Sequence, residues 1–145
     1  MGERQAGKTR VLVVDDEATD LSTLGSALKA AGCEVFEAAG YREAMAHAKA
    51  RGPVNLLIAD ISLPDGNGCA LALAMRRHNP ALRVLFISGH VGTEVCKYYG
   101  LDVEDIHFLR KPFKREELLS RVQHVLASGY AFPRLTTPKV LTSTG

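Results

Sequence analysis

Three carboxylates, a hydroxyl and an ammonium stand out because each follows a short apolar run. Asp15 and Asp16 follow residues 11–14, Asp60 follows 54–59, Ser88 follows 83–87, and Lys111 comes two residues after 106–109. Gathered in one cleft, three carboxylates repel, and each loses stability if left unneutralised in partly dehydrated surroundings. The group calls for a cation. The carboxylates contribute −3 and Lys111 +1, so one divalent ion brings the count to zero. Oxygen-only ligands with room for waters favour Mg²⁺ over Zn²⁺. A carboxylate beside Mg²⁺ and a lysine is suited to attack phosphorus, because both cations neutralise the equatorial oxygens of a transferring phosphoryl group. The product would be an acyl phosphate.

The elements between these residues explain how they can meet. The run 11–14, Val-Leu-Val-Val, is continuously apolar and β-branched, as in a parallel strand covered on both faces. Leu21, Leu24 and Leu28 recur at helical spacing over 19–31, with Lys29 in the last turn and Gly32 as a stop signal. The alternation repeats: strand 34–38 and helix 41–51, strand 54–59 and helix 71–77, strand 83–87 and helix 93–99, strand 106–109 and helix 115–127. Five βα units with short connections predict an α/β fold, a parallel five-stranded sheet with helices on both faces. Ligands of open parallel sheets bind outside the carboxyl ends of the strands, where the strand order reverses. The chemistry-bearing residues all sit at such ends. Residues 1–9 read as an extension and 128–145, with Gly, two Pro and a Ser/Thr-rich end, as a tail or linker around one domain at 10–127.

The motifs VLVVDDE (11–17), LLIADISLPDGNG (56–68), VLFISGH (84–90) and FLRKPF (108–113) together resemble the receiver domains of two-component response regulators. Each motif alone is weak; all four, in order and at strand ends, are specific. The resemblance covers about residues 10–127 and implies a flavodoxin-like strand order 2-1-3-4-5. It implies that Asp60 accepts a phosphoryl group from a phosphohistidine on a sensor histidine kinase or a histidine phosphotransfer protein. Asp15 and Asp16 would hold Mg²⁺ with the Asp60 side chain and the backbone carbonyl of Ser62. Lys111 would bind one phosphoryl oxygen and Ser88 another. Phe108 would be the switch aromatic, rotating as Ser88 moves and remodelling the face of the fourth helix, fifth strand and fifth helix, where a downstream protein or a second copy would dock. The bond before Pro112 is often cis in such receivers, which would orient the lysine, but the sequence leaves the isomer open. Phe108 stands where Tyr is frequent, so the switch would work by packing without a phenolic hydroxyl. By the same resemblance, Ser62 and His90 would occupy positions that in such receivers tune hydrolysis of the acyl phosphate, and residues 100–105 are longer and more acidic than the family's usual turn.

Composition narrows the remaining classes. With 46% hydrophobic and 23% charged residues the chain has the material for a core, and no apolar run approaches the roughly 18 residues of a membrane span. The net charge of +2 comes from the ends: residues 1–10 hold Arg4, Lys8 and Arg10 against Glu3, and 128–145 hold Arg134 and Lys139 with no acid, leaving 13 basic and 15 acidic residues between. Direct nucleic-acid binding is not expected. Cys33, Cys69 and Cys96 are odd in number and lack metal-site spacing, as expected of reduced thiols in the cytoplasm, with Cys69 and Cys96 packing within helices. Asp65 and Gly66–Gly68 read as a turn whose main role is backbone geometry, and Tyr98 with Tyr99 as an exposed aromatic patch. The expected function is a phosphoacceptor without turnover on an outside substrate, freestanding or part of a hybrid kinase or larger regulator. A pseudo-receiver that only binds protein is the alternative, although it would be expected to lack one of the key residues. A Mg²⁺-dependent aspartyl-phosphate phosphohydrolase fits less well, because the first strand lacks the Asp-x-Asp nucleophile pattern and the chain has no room for a cap.

Overall fold

A computed structural model of the chain describes residues 7–89, 92–102, 104, 106–128 and 131–132, with only the backbone at 92 and 93. Strands β1 (Arg10–Val14), β2 (Glu34–Ala38), β3 (Leu56–Asp60), β4 (Arg83–Ser88) and β5 (His107–Arg110) alternate with helices α1 (Ala18–Ala30), α2 (Tyr41–Arg51), α3 (Gly68–Arg76), α4 (Gly92–Tyr98) and α5 (Arg115–Ala127). The strands form one parallel sheet in the order β2-β1-β3-β4-β5. The expected flavodoxin-like α/β fold and strand order are therefore present.

Strand pleating divides the core into two. Val11 and Val13 of β1, Ile58 of β3 and Leu85 of β4 face one way and pack with Leu24 and Leu28 of α1 and Leu118, Val122 and Val125 of α5. Leu12, Val14, Leu57, Ala59 and Phe86 face the other way, onto Ala44 of α2, Leu71 and Met75 of α3 and Cys96 of α4. Every side chain from Val11 to Val14 is fully buried, which explains the unbroken apolar run. Gly32, at φ +96°, ends α1 in a left-handed conformation that lets the Cys33 N–H return to the Leu28 carbonyl at 3.0 Å.

Three features depart from the sequence reading. A two-residue hairpin, Ser62–Leu63 against Gly66–Asn67, follows β3. Helix α3 begins at Gly68, earlier than its apolar spacing indicates, because the Asn67 side chain accepts the Ala70 N–H at 2.8 Å and caps it. Packing also continues past the end of α5: Phe132, 5% exposed, lies edge-on to Phe86 with ring centres 5.6 Å apart, and its N–H donates to the Leu82 carbonyl at 2.8 Å. The chain thus passes from the α1–α5 side of the sheet to the core of the other side. His90 and residues 133–145 lie outside the described residues, as do parts of 100–105.

Candidate functional site

The sheet order places β1 beside both β2 and β3, so the chain crosses over at the β1–β3 boundary and leaves a crevice at their carboxyl ends. Asp15 follows β1 directly and Asp60 is the last residue of β3. Asp15 is fully buried; its N–H donates to the Ala38 carbonyl at 3.1 Å, and its Oδ1 accepts the Glu17 N–H at 2.9 Å. Asp60 is 7% exposed, and its Oδ1 accepts the Ser62 N–H at 2.9 Å. Asp16 faces solvent. Carboxylate oxygens of Asp15, Asp16 and Asp60 lie within 4.8 Å of one another. Such a compact, hard, all-oxygen donor set fits a Mg²⁺ ion and offers no nitrogen or sulfur for zinc.

Lys111 arrives from the end of β5. Its N–H donates to the Ser88 carbonyl at 2.8 Å, continuing the β4–β5 pairing one residue past the strand and anchoring the lysine beside Ser88. Its ammonium donates to Asp15 Oδ2 and Asp60 Oδ2, each at 2.8 Å. The Lys111–Pro112 bond is cis. Ser88 is buried at the end of β4, and Phe108 is half-buried, paired in register with Phe86. Arg121 of α5 donates to the Phe108 carbonyl, tying α5 to β5. All the residues singled out from sequence at strand ends therefore come to one edge of the sheet.

The sequence reading missed Asp20. This residue, in the first turn of α1, places Oδ2 2.9 Å from Lys111 Nζ, so the ammonium contacts three carboxylates. With Asp20 included, a divalent ion leaves the site at −1, correcting the neutral count above. Electrostatics follow from this crowding. Burial pushes the Asp15 carboxyl above the ordinary carboxylate range, opposed by the bonds from Lys111 and Glu17. Burial alone would lower the Lys111 ammonium, but the bonds to Asp15, Asp60 and Asp20 outweigh it and hold the lysine above its usual value, firmly charged.

The loop after Asp60 is wired to both neighbouring helices. Gly68 is required by close approach, since a Cβ there would lie 2.5 Å from the Asp60 carbonyl oxygen. Asp65 does more than shape a turn: its carboxylate accepts the Tyr41 N–H at 2.7 Å and the Arg42 N–H at 3.0 Å, satisfying the amino end of α2. Those two bonds hold its carboxyl below the usual range. Asn67 also donates to the Tyr99 hydroxyl at 3.0 Å, and the buried sulfurs of Cys69 and Cys96 lie 2.7 Å apart. The expected aromatic patch is present: Tyr98 is 85% and Tyr99 37% exposed, and the Tyr99 hydroxyl is also engaged by Asn67. A larger recess of about 620 Å³ lies between α2 and α3 at the opposite end of the sheet, near Met45, Val54 and Met75, and holds no part of this constellation.

The family model described as response regulator receiver domain matches residues 11–123. The chain belongs to that family. It is 37% identical over 118 residues to the aerobic respiration control protein ArcA of Escherichia coli strain K12, covering 81% of this chain and 48% of ArcA. It is 30% identical over 124 residues to the sensor kinase CckA of Brucella abortus, covering 83% of this chain and 13% of that kinase. The chain thus spans about half or less of these relatives. Among solved structures, the CheY-like receiver domain protein of Methanospirillum hungatei JF-1 superposes with a TM-score of 0.73 at 26% identity, covering 84% of this chain and 96% of that one. The chemotaxis protein CheY4 of Vibrio cholerae gives 0.72 at 29% identity, covering 82% and 99%. No helix among the described residues is long and apolar enough to cross a membrane.

Proposed function

We propose that this chain is a phosphoacceptor in which Asp60 takes a phosphoryl group from a phosphohistidine of a sensor histidine kinase or a histidine phosphotransfer protein. The observation that carries the reading is the Asp60 carboxylate, held by Lys111 at 2.8 Å within a cluster of acids at the crevice. An Asp60 oxygen forms the new bond to phosphorus as the P–N bond breaks, and the electron pair leaves with the imidazole. Lys111 then donates an N–H to a phosphoryl oxygen. The Ser62 N–H holds the other Asp60 oxygen and so orients the attacking one. Asp15, Asp16, Asp60 and the Ser62 carbonyl would hold Mg²⁺, which would supply charge neutralisation for the incoming phosphoryl group.

Ser88, at the neighbouring strand end, would hydrogen-bond the phosphoryl group. Phe108 would fill the space that Ser88 leaves, and the bond from Arg121 to the Phe108 carbonyl would carry the change to α5. The α4–β5–α5 face would then meet a downstream protein or a second copy. This reading places the chain in the cytoplasm, with no direct nucleic-acid binding and no turnover of an outside substrate. The receiver would be freestanding or part of a hybrid kinase or larger regulator, and relatives of both kinds contain such a segment.

The test is intact-protein mass after incubation with acetyl phosphate, with and without Mg²⁺. A gain of one phosphoryl group that needs Mg²⁺ and disappears in Asp60→Asn supports the reading. A folded wild-type protein that never gains mass overturns it in favour of a pseudo-receiver.

A further inference from the structure

Lys111 has three N–H donors, and three carboxylates lie within bonding distance of its nitrogen: Asp15, Asp60 and Asp20. A phosphoryl oxygen that approaches this lysine competes with them. Asp15 and Asp60 have a second task, since they belong with Asp16 to the compact oxygen cluster. Asp20 lies outside that cluster, so its interaction in the site is with the lysine. It is also the partner nearest solvent, with its side chain 38% exposed, whereas those of Asp15 and Asp60 are 0% and 10% exposed. Together with Thr23, Gly89, Lys111, Pro112 and Phe113 it lines a recess of about 430 Å³ beside the crevice. An anion in that recess meets the Asp20 charge beside the ammonium.

We propose that Asp20 is a positioning residue that competes with the phosphoryl group for Lys111 and thereby slows phosphorylation of Asp60. The inference rests on the phosphoacceptor reading. Its effect is electrostatic and reaches the reaction through the lysine. Removing the Asp20 charge leaves the ion-binding cluster in place, weakens one of the lysine's three carboxylate contacts and removes a negative charge a few ångströms from the incoming group. At that range in a partly solvated site one charge is worth about tenfold in rate or affinity.

The experiment compares wild type with Asp20→Asn and Asp20→Glu at pH 7 in saturating Mg²⁺, using acetyl phosphate, a dianion, and phosphoramidate, a monoanion. Asp20→Asn is expected to gain the phosphoryl group about tenfold faster from acetyl phosphate and by a smaller factor from phosphoramidate, while Asp20→Glu stays near wild type. Calorimetric titration with beryllofluoride, a monoanionic phosphoryl mimic, is expected to show tighter binding to Asp20→Asn by a factor below that for acetyl phosphate. Mn²⁺ binding, followed by paramagnetic relaxation, is expected to weaken with the same loss of charge, opposite in sign to the beryllofluoride effect. Equal or slower rates in a natively melting Asp20→Asn overturn the inference and leave the phosphoacceptor reading standing. An equal gain with both donors also overturns it, because a general loosening of α1 would not distinguish their charge. Failure of wild type to gain mass from either donor removes the phosphoacceptor reading and this inference with it.

Discussion

Lys111 commits its whole ammonium to carboxylates, so in the metal-free protein it is the counter-ion of the crevice. Lys111→Met is expected to cost about 3 kcal/mol, the scale for removing one partner from a buried charge cluster, and saturating Mg²⁺ is expected to recover part of that loss. Urea denaturation with and without Mg²⁺ measures both. Asp15 has the opposite sign. Burial raises its carboxyl in the folded state, so its contribution is most favourable below the unfolded pKa of about 3.9 and is lost as pH rises through the higher folded value. Asp15→Asn is therefore expected to show a higher urea midpoint than wild type at pH 7 without metal, with the difference closing toward pH 4. The residues at strand ends were legible because an apolar run that stops at a charged residue marks an edge. Asp20 was not, because an acid in the first turn of a helix has an ordinary reason to be there in the helix dipole, and only the meeting with Lys111, 91 positions along the sequence, gives it a second one.

At the level of elements, the loop between β3 and α3 links Asp60 to the amino end of α2 through Asp65 and to the end of α4 through Asn67. Asp65→Ala is expected to leave the Tyr41 and Arg42 amides without their acceptor and to speed their hydrogen exchange at neutral pH. In wild type the Asp65 carboxyl is depressed by its bonds to the Arg42 and Tyr41 amides. Their protection should therefore persist below pH 4 and fade only as pH drops through the lowered value. Exchange measured by NMR across that range checks both outcomes. Most of the alternation of strands and helices could be read directly, since β2, α2 and α5 fall at the bounds their patterns indicate. The hairpin after β3 was opaque because four residues paired two against two have no periodicity to detect. The early start of α3 was hidden because its first turn is set by a side-chain cap and precedes the apolar repeat.

For the whole molecule, the two cores are separated by the sheet and joined by the segment that ends at Phe132. Truncating this ring to alanine is expected to cost about 3 kcal/mol, although it lies beyond the 11–123 family match, and thermal or urea unfolding of Phe132→Ala measures it. Composition gave no warning of this anchor, because aromatics scattered among Gly, Pro, Ser and Thr look like part of a linker until the Phe132 backbone is seen bonded to Leu82. That bond also has a mechanical consequence. A pull on the carboxyl-terminal side of Phe132 bears on the backbone at Leu82, next to the first residue of β4, and runs along a strand whose far end is Ser88. A surface tether or a bulky label attached there would act as a lever on the strand that borders the phosphoryl crevice, whereas the same attachment ahead of β1 would load a different strand.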